Sequence, residues 1–276
     1  MQLETANRDE GLTLAINLGP RLTRIARYVP QDAKLGDIGT DHAHLPIFLC
    51  EQGRVGSAVA VDIHKGPFES AKAAVQSHGL ETKIKVRQGN GLHPLFPDEV
   101  DTLTIAGMGG NSILEILSGR PDVLEQVKQL ILQPQGAEGK VRKVLLDRGW
   151  RLQDEALVEE DGKVYVVMVY SRESGWSLAD VDSSEKAWLA GMRVGCVEQA
   201  VFRDRARALF WQIGPLVLEK GGDLVQRLLA ERWEALNARI KEMQKGKPSM
   251  VGPKITEAKV ELKAVEAMQA IAPLSF

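Results

Sequence analysis

The fold of this chain is decided by the stretch Lys34–Pro46, KLGDIGTDHAHLP. Its first six residues are mostly small or apolar and break at a glycine, which predicts a short buried strand. The residues that follow, Ala43–Gln52, carry apolar side chains at helical spacing and predict a helix. A strand, a glycine turn and a helix start together bring backbone N–H groups up to a bound ligand. The stretch therefore predicts a ligand site at the end of a buried strand.

The turn between these two elements indicates which kind of ligand would bind. It holds two carboxylates, Asp37 at the strand end and Asp41 beyond Gly39. A dinucleotide-binding turn has three glycines, G-x-G-x-x-G, so that the backbone can approach a pyrophosphate. This turn has one glycine, and its carboxylates would repel a diphosphate but attract a cation. It favours S-adenosylmethionine, with its sulfonium and ammonium groups, although an acidic turn is also an ordinary strand-end cap.

The same strand-then-helix pattern recurs downstream. Further buried strands are predicted at Ser57–Val61, Lys83–Arg87, Asp101–Ala106 and Leu130–Gln133, and further helices at Phe68–His78, Ile113–Leu117 and Lys140–Arg148. Two β-rich runs, Arg151–Glu159 and Lys163–Tyr170, close the series around a hairpin turn at Glu160–Gly162. Five parallel strands with an antiparallel edge predict an α/β fold with a mixed, seven-stranded, doubly wound sheet of the Rossmann-like type.

Three more predicted loops follow strand carboxyl ends, where open α/β sheets bind their ligands. Asp62 is placed to accept hydrogen bonds from a ribose diol, or to cap the helix that follows. Asn90 is placed to bond the edge of an adenine, or serves only as a turn residue. Gly107–Gly110 contains three glycines, which lose much conformational entropy when the chain folds. Their presence indicates that something approaches the backbone closely. The convergence of these loops at one edge is a stronger signal than any one of them.

From Ser177 onward the sequence is mostly helical. Apolar residues recur at intervals of three and four in Leu229–Met243 and again in Ile255–Met268. This pattern predicts an antiparallel coiled-coil hairpin that turns at Lys245–Pro253. The lysines near its tip either keep the helices soluble or form a basic prong for a polyanion, and both interpretations stay open. These lysines are Lys241, Lys245, Lys247, Lys254, Lys259 and Lys263.

Ahead of the first strand, Leu18–Val29 predicts a helix with an apolar face. Arg21, Arg24 and Arg27 occupy the opposite face. They form either a solvated helix face or a set of phosphate contacts near the mouth of a site. Residues 1–17 are polar and predict a loose arm.

The length, composition and net charge of the chain exclude several classes of protein. The 276 residues are 44% hydrophobic and 26% charged, as in a globular protein, and no apolar run approaches the roughly 20 residues that cross a bilayer. Cys50 and Cys196 are the only cysteines, which argues against a disulfide framework and for a reducing compartment. No Cys/His cluster has metal-ligand spacing, so no metal is expected. With a net charge of −2, any RNA binding must depend on a local basic patch.

Five motifs in order carry a resemblance to a known family: DIGTDHAHLP, RQGNGL, TIAGMGG, LILQPQ and EEDGKVY. They resemble the TrmK family of bacterial tRNA adenine N1-methyltransferases, which act at position 22 of the tRNA. The resemblance spans roughly Leu18–Phe276. It implies a class I S-adenosylmethionine-dependent methyltransferase domain at residues 18–174 and a helical coiled-coil domain at 175–276, with residues 1–17 as an arm outside both. We expect a cytoplasmic protein, with a monomer favoured.

The resemblance also implies roles for individual residues. Asp37, Gly39 and Asp41 would lie at the methionine end of the cofactor, Asp62 at the ribose and Asn90 at the adenine edge. The cofactor-binding set is then Asp37, Gly39, Asp41, Asp62, Ile63, Asn90, Gly91 and Gly107. Most family members have Asp in place of Asn90, but an amide can also donate and accept hydrogen bonds, so binding should survive.

For the RNA, the resemblance implies that Gly107–Gly110 forms a floor between cofactor and target base. Candidate tRNA contacts are Arg21, Arg24, His42, Met108, Gly109, Lys245 and Lys247. The candidate catalytic residue is Asp41, which would orient the adenine amino group or accept a proton. Asp41 could instead bind only the cofactor's ammonium group.

Two other functions stay open at this point. The first is a class I methyltransferase that acts on a protein or a small molecule. The second is a non-catalytic RNA-binding scaffold that keeps the fold. The joint presence of Asp37, Asp62 and Asn90 argues against the scaffold, because nothing else demands all three. A nicotinamide-dependent oxidoreductase is disfavoured by the missing glycines and by Asp41.

Overall fold

Seven strands form one sheet in a computed structural model that describes residues 16–192, 199–245 and 248–273. The first five strands are parallel to one another, β7 is antiparallel to both β5 and β6, and the spatial order is β3-β2-β1-β4-β5-β7-β6. This confirms the predicted mixed sheet. The strands are β1 (Ala33–Ile38), β2 (Val55–Asp62), β3 (Ile84–Gln88), β4 (Thr102–Met108), β5 (Gln129–Pro134), β6 (Arg151–Glu160) and β7 (Lys163–Ser171).

The order of the strands places β1 inside the sheet, between β2 and β4. Asp37 stands beside Ala60 of β2 and Thr104 of β4 in the ladder. Because these strands are parallel, their carboxyl ends meet at one edge of the sheet. The loops that were predicted to bind a ligand therefore lie side by side.

Six helices flank this sheet. They are α1 (Pro20–Tyr28), α2 (His44–Glu51), α3 (Lys65–Ser77), α4 (Gly110–Ser118), α5 (Pro121–Leu124) and α6 (Glu138–Asp147). One core lies between the sheet and α1, α2 and α3, and the other contains residues of α4 and α6. Apolar layers on both faces explain why the strands have so few polar positions.

Two details differ from the sequence prediction. Helix α3 begins at Lys65 rather than Phe68, because Pro67 falls in the first turn, where its missing N–H costs no hydrogen bond. The short helix α5 was not predicted, since four residues are too few to show a period.

In the described residues after the sheet, the chain forms five helices. They are α7 (Leu178–Gly191), α8 (Gln199–Ile213), α9 (Pro215–Lys220), α10 (Asp223–Met243) and α11 (Pro248–Ile271). Helices α10 and α11 run antiparallel: Gln226 donates to the carbonyl of Ala272, and Trp233 further along α10 donates to Glu266. The predicted hairpin is confirmed.

The turn of this hairpin is shorter than the sequence suggested. Helix α11 already begins at Pro248, so Lys245–Pro253 as a turn is wrong. A helix tolerates proline at its first position, which Pro248 occupies. A second proline, Pro253, lies inside α11. Trp233 lies at the rim of the seam and is 37% exposed, because its indole N–H reaches Glu266. In the parts of the chain described, no helix is long and apolar enough to cross a membrane.

A buried ion pair joins the helical part to the sheet. Arg142 of α6 and Glu155 of β6 have fully buried side chains, and their closest N–O distance is 2.6 Å. Arg142 also donates to the carbonyls of Trp211, Gln212 and Ile213 at the end of α8. The second oxygen of Glu155 accepts the N–H of Leu216, at the start of α9. Two side chains thus satisfy the backbone where α8 ends and α9 begins.

Candidate active site

Asp37 forms the buried floor of the site. The residue is 7% exposed, and its carboxylate accepts hydrogen bonds from the hydroxyls of Thr40 at 2.7 Å and Thr104 at 2.5 Å. Burial raises the pKa of this carboxyl, against the lowering effect of the two hydroxyls, and the charge of Asp62 raises it further. No cationic side chain of the described residues bonds to it. A desolvated carboxylate of this kind suits a cationic ligand.

The turn after β1 is bent by left-handed residues. Gly39 has a φ of +75°, and Asp41 a φ of +52°. A Cβ on Gly39 would lie 2.1 Å from the terminal methyl of Met108, so this methionine packs directly over the glycine. The N–H of Asp41 donates to the carboxylate of Asp62 at 3.3 Å. The turn therefore touches both the end of β2 and the loop after β4.

Asp62 binds backbone at the strand end. The residue is 7% exposed, and its other oxygen accepts the N–H of His64 at 2.9 Å. His64 is the N-cap of α3, and that helix has no side-chain cap, so Asp62 does not cap its first turn. The next residue, Ile63, is 51% exposed although it is an isoleucine. An exposed apolar side chain beside a carboxylate suits a flat apolar ring joined to a diol.

The loop after β3 completes this side of the site. The N–H of Gly89 donates to the carbonyl of Asp62 at 2.9 Å. The carbonyl of Asn90 accepts the N–H of His93, which is its role in the turn, while the exposed Asn90 side chain has no hydrogen-bond partner among the described residues. Gly91 has a φ of +54° and lies against Ile116. An amide without an internal partner is available to a ligand.

The glycine-rich loop, Gly107–Gly110, begins with the last two residues of β4 and is joined to the loop after β5. The N–H of Gln135 donates to the carbonyl of Met108 at 2.7 Å, and that of Gly110 donates to the carbonyl of Gly136 at 3.2 Å. A Cβ on Gly110 would lie 2.6 Å from that same oxygen. The approach that requires glycine at position 110 is therefore made by the neighbouring loop. At Gly109 a Cβ would meet nothing closer than 3.8 Å, which leaves room there for a ligand.

Arg21 is held in place beneath this loop. Its guanidinium bonds to Glu160 at 3.0 Å and to the amide oxygen of Gln133 at 2.9 Å, and lies 5.6 Å from the ring centre of Tyr165. The buried Gln133 accepts from the N–H of Gly107 with the same oxygen. Gln133, Glu160 and Tyr165 were not among the predicted site residues. A buried glutamine at the end of an apolar strand was the available signal.

The other candidate RNA contacts are spread more widely. Arg24 lines a groove between α1, β6 and α10, beside Tyr28. His42 stacks on His44 with ring centres 5.3 Å apart and is 3.6 Å from Asp41. Lys245 follows α10, where it pairs with Glu242, and Lys247 lies outside the described residues. Within the described ranges no group of three or more His, Cys, Asp or Glu could hold a metal.

The chain is similar in sequence to proteins of a known family. Residues 18–168 match the family described as "Methyltransferase domain". The chain is 42% identical over 180 residues to the tRNA (adenine(22)-N(1))-methyltransferase of Bacillus subtilis, an alignment that covers 65% of this chain and 74% of the relative. The chain belongs to the TrmK family.

Solved structures agree with that family membership. The B. subtilis M1A22 tRNA methyltransferase TrmK has a TM-score of 0.74 at 28% identity, covering 92% of this chain and 99% of the other. A Streptococcus pneumoniae protein solved in complex with S-adenosyl-L-methionine has a TM-score of 0.65 at 32% identity, covering 88% and 98%. Both the family and the fold inferred from the motifs are confirmed, while the roles of the single residues stay predictions.

Proposed function

We propose that the protein transfers a methyl group from S-adenosylmethionine to N1 of the adenine at position 22 of tRNA. The observation that supports this best is the buried Asp37, which bonds to no cation and lies beside Asp62 at the ligand-binding edge of a TrmK-family sheet. The curated relative at 42% identity is named for that reaction. We place the enzyme in the cytoplasm, as a monomer, with residues 18–174 as the methyltransferase domain and 175–276 as the helical domain.

The residues at the sheet edge fit the cofactor in two parts. Asp37 and Gly39 are assigned to the ammonium and methionine end, since Asp37 is a buried carboxylate that bonds to no cation. Asp62 is assigned to the ribose, with Ile63 and Asn90 at the adenine, because an exposed apolar side chain and an unbonded amide lie beside that carboxylate. When bound, the cofactor supplies an electrophilic methyl group, which the lone pair of adenine N1 can attack.

The chain's own contribution to the reaction is alignment. Gly107, Met108 and Gly109 offer backbone groups and a thioether rather than acids or bases, so this loop positions the base. Arg21 and Gln133 fix the loop from below, through the N–H of Gly107. A base in a folded tRNA has to leave its stack to reach such a site. The other RNA contacts are assigned to Arg24, His42, Lys245 and Lys247.

Asp41 is proposed to orient the adenine amino group and to accept its proton. Its side chain is 69% exposed and lies in the turn that contacts Asp62. Asn tolerates left-handed backbone, so Asp41→Asn should keep the turn. We expect turnover to fall by at least about 100-fold with cofactor affinity within about three-fold of wild type. Single-turnover transfer and calorimetry measure the two quantities. A variant that binds cofactor normally and turns over within a few-fold of wild type would remove Asp41 from catalysis.

The proposed reaction is tested with methyl-labelled S-adenosylmethionine. The purified protein is incubated with unmodified tRNA transcripts, and the products are digested to nucleosides. Label is expected in 1-methyladenosine. Label that appears in proteins or small molecules of a cell extract, and never in RNA, would assign the enzyme to another substrate class. Cofactor binding without transfer to any of them would favour a scaffold.

A further inference from the structure

A cleft of about 580 Å³ lies between the sheet and the helical part of the chain. One wall consists of the loop after β5, Pro134–Gly136, and of the start of β7 at Lys163–Val166. Residues of α8 and α10 form the opposite wall, among them Gln212 and Leu228. This volume falls in the range of about 300–1,000 Å³ that ligand sites occupy. The proposed function has so far assigned no ligand to this cleft.

The cleft is continuous with the candidate active site. Its Gln135 and Gly136 are the residues whose backbone bonds to Met108 and Gly110 in the glycine-rich loop. Strand β7 is antiparallel to β5, so its first residues lie at the edge where β5 ends. The glycine-rich loop and the cleft thus share a wall, at the same edge of the sheet.

The charges that line the cleft suit a base better than a row of phosphates. Arg232 is paired with Glu261 at 2.6 Å, and Glu231 is paired with Arg227 at 2.8 Å. Glu138 accepts the N–H of Gly136 at 2.8 Å and has no cationic partner among the described residues, so it would repel a phosphate. Lys163 is left as the one unpaired cation among the described lining residues. Since it is exposed at the start of β7, it can meet a single phosphate. A surface that tracks a backbone would need several such cations.

The apolar and aromatic lining completes this chemistry. Tyr165 presents a half-buried ring to the cleft, with its hydroxyl unbonded in the described structure, and Arg21 lies 5.6 Å from the ring centre. Leu228 of α10 and the exposed amides of Gln135 and Gln212 line the same cleft. An aromatic ring with amides around it is how proteins hold a single unstacked base.

We propose that this cleft receives one base that neighbours the target adenine in the tRNA, stacked on Tyr165, with its phosphate at Lys163. The proposal rests on the proposed function. Moving the target base out of its stack leaves a neighbour without one stacking partner. A cleft that shares a wall with the reaction site can hold that neighbour and keep the target base extended.

Two variants test the proposal from opposite walls. Tyr165→Leu removes the ring, and Gln212→Trp fills the cleft from an exposed position on α8. Each should lower kcat/KM for tRNA by about 10- to 100-fold, mostly through KM, with the cofactor Kd within about two-fold of wild type. Tyr165→Phe keeps the ring and should stay within about three-fold. The control Val201→Trp adds the same bulk to an exposed site on α8, 11 residues away.

A fluorescent base reports on the cleft directly. Transcripts with 2-aminopurine at position 21 or 23 are titrated with wild-type protein, and stacking should quench the fluorescence at one of the two. Tyr165→Leu should abolish that quenching. The proposal is overturned if Tyr165→Leu and Gln212→Trp both methylate tRNA within two-fold of wild type, or if neither position is quenched. A wild-type protein that binds cofactor and methylates no tRNA overturns the proposed function itself.

Discussion

Replacement of Arg142 by methionine is expected to lower the free energy of unfolding by about 3–5 kcal/mol. The variant leaves the carboxylate of Glu155 fully buried without its cation. It also removes the donors to the carbonyls of Trp211, Gln212 and Ile213 at the end of α8. An unpaired buried charge and unsatisfied carbonyls are among the costliest defects that one substitution can create. Urea denaturation followed by circular dichroism measures the loss.

The matched control for this prediction is an exposed arginine at the C-terminal end of the same helix. Arg148 follows α6, is exposed, and bonds only to the hydroxyl of Ser118. Arg148→Met should change the free energy of unfolding by no more than about 0.5 kcal/mol. The double variant Arg142→Met/Glu155→Leu should recover part of the loss, since it removes the isolated charge but leaves the carbonyls unsatisfied. A loss below 1 kcal/mol for Arg142→Met would contradict the role given to the pair.

Asp37→Asn should change stability and cofactor affinity in opposite directions. Burial raises the pKa of Asp37 in the folded protein, so the ionised form costs folding free energy at neutral pH. An amide of the same shape removes that cost, and the melting temperature of the ligand-free protein should rise. The variant also lacks the negative charge of the Asp37 carboxylate, which is proposed to bind the cofactor's ammonium group. This loss should weaken S-adenosylmethionine binding by about 10- to 100-fold.

The pH dependence of that stability gain has a fixed sign. When the pKa of a carboxyl group is higher in the folded than in the unfolded protein, the free energy of unfolding falls as the pH rises between the two pKa values. The gain of Asp37→Asn should therefore vanish in acid, where both side chains are neutral, and grow as the pH rises. Melting curves with and without cofactor, with exposed Asp147→Asn as control, measure both effects. A variant that binds cofactor as tightly as wild type would exclude Asp37 from that contact.

Local patterns were sufficient to predict the sheet. Strands β1 to β4 are short runs that end in an aspartate or directly before a glycine, and parallel strands bring such ends to one edge. The hairpin turn was also predictable, because an Asp-Gly pair favours a two-residue turn. Asp161 and Gly162 both adopt the positive φ that such a turn demands. These features depend on neighbours in sequence.

The contacts between segments that are far apart in the sequence could not be predicted. Arg142 looks like any solvated arginine of a helix, and its burial depends on α8, about 70 residues away. Arg21 had two open interpretations, and neither included Glu160 and Gln133 as partners. The glycines after β4 were assigned to a ligand, whereas Gly110 is required by the loop after β5. In each case the deciding contact comes from a strand or helix far along the chain.

The most direct test of the account compares two tRNA transcripts that differ at one nucleotide. The purified protein and methyl-labelled S-adenosylmethionine are incubated with a transcript that carries adenine at position 22 and with one that carries guanine there. We expect 1-methyladenosine in the first transcript, near one label per molecule, and background label in the second. Equal labelling of both transcripts, or no label in either while the cofactor binds, would contradict it.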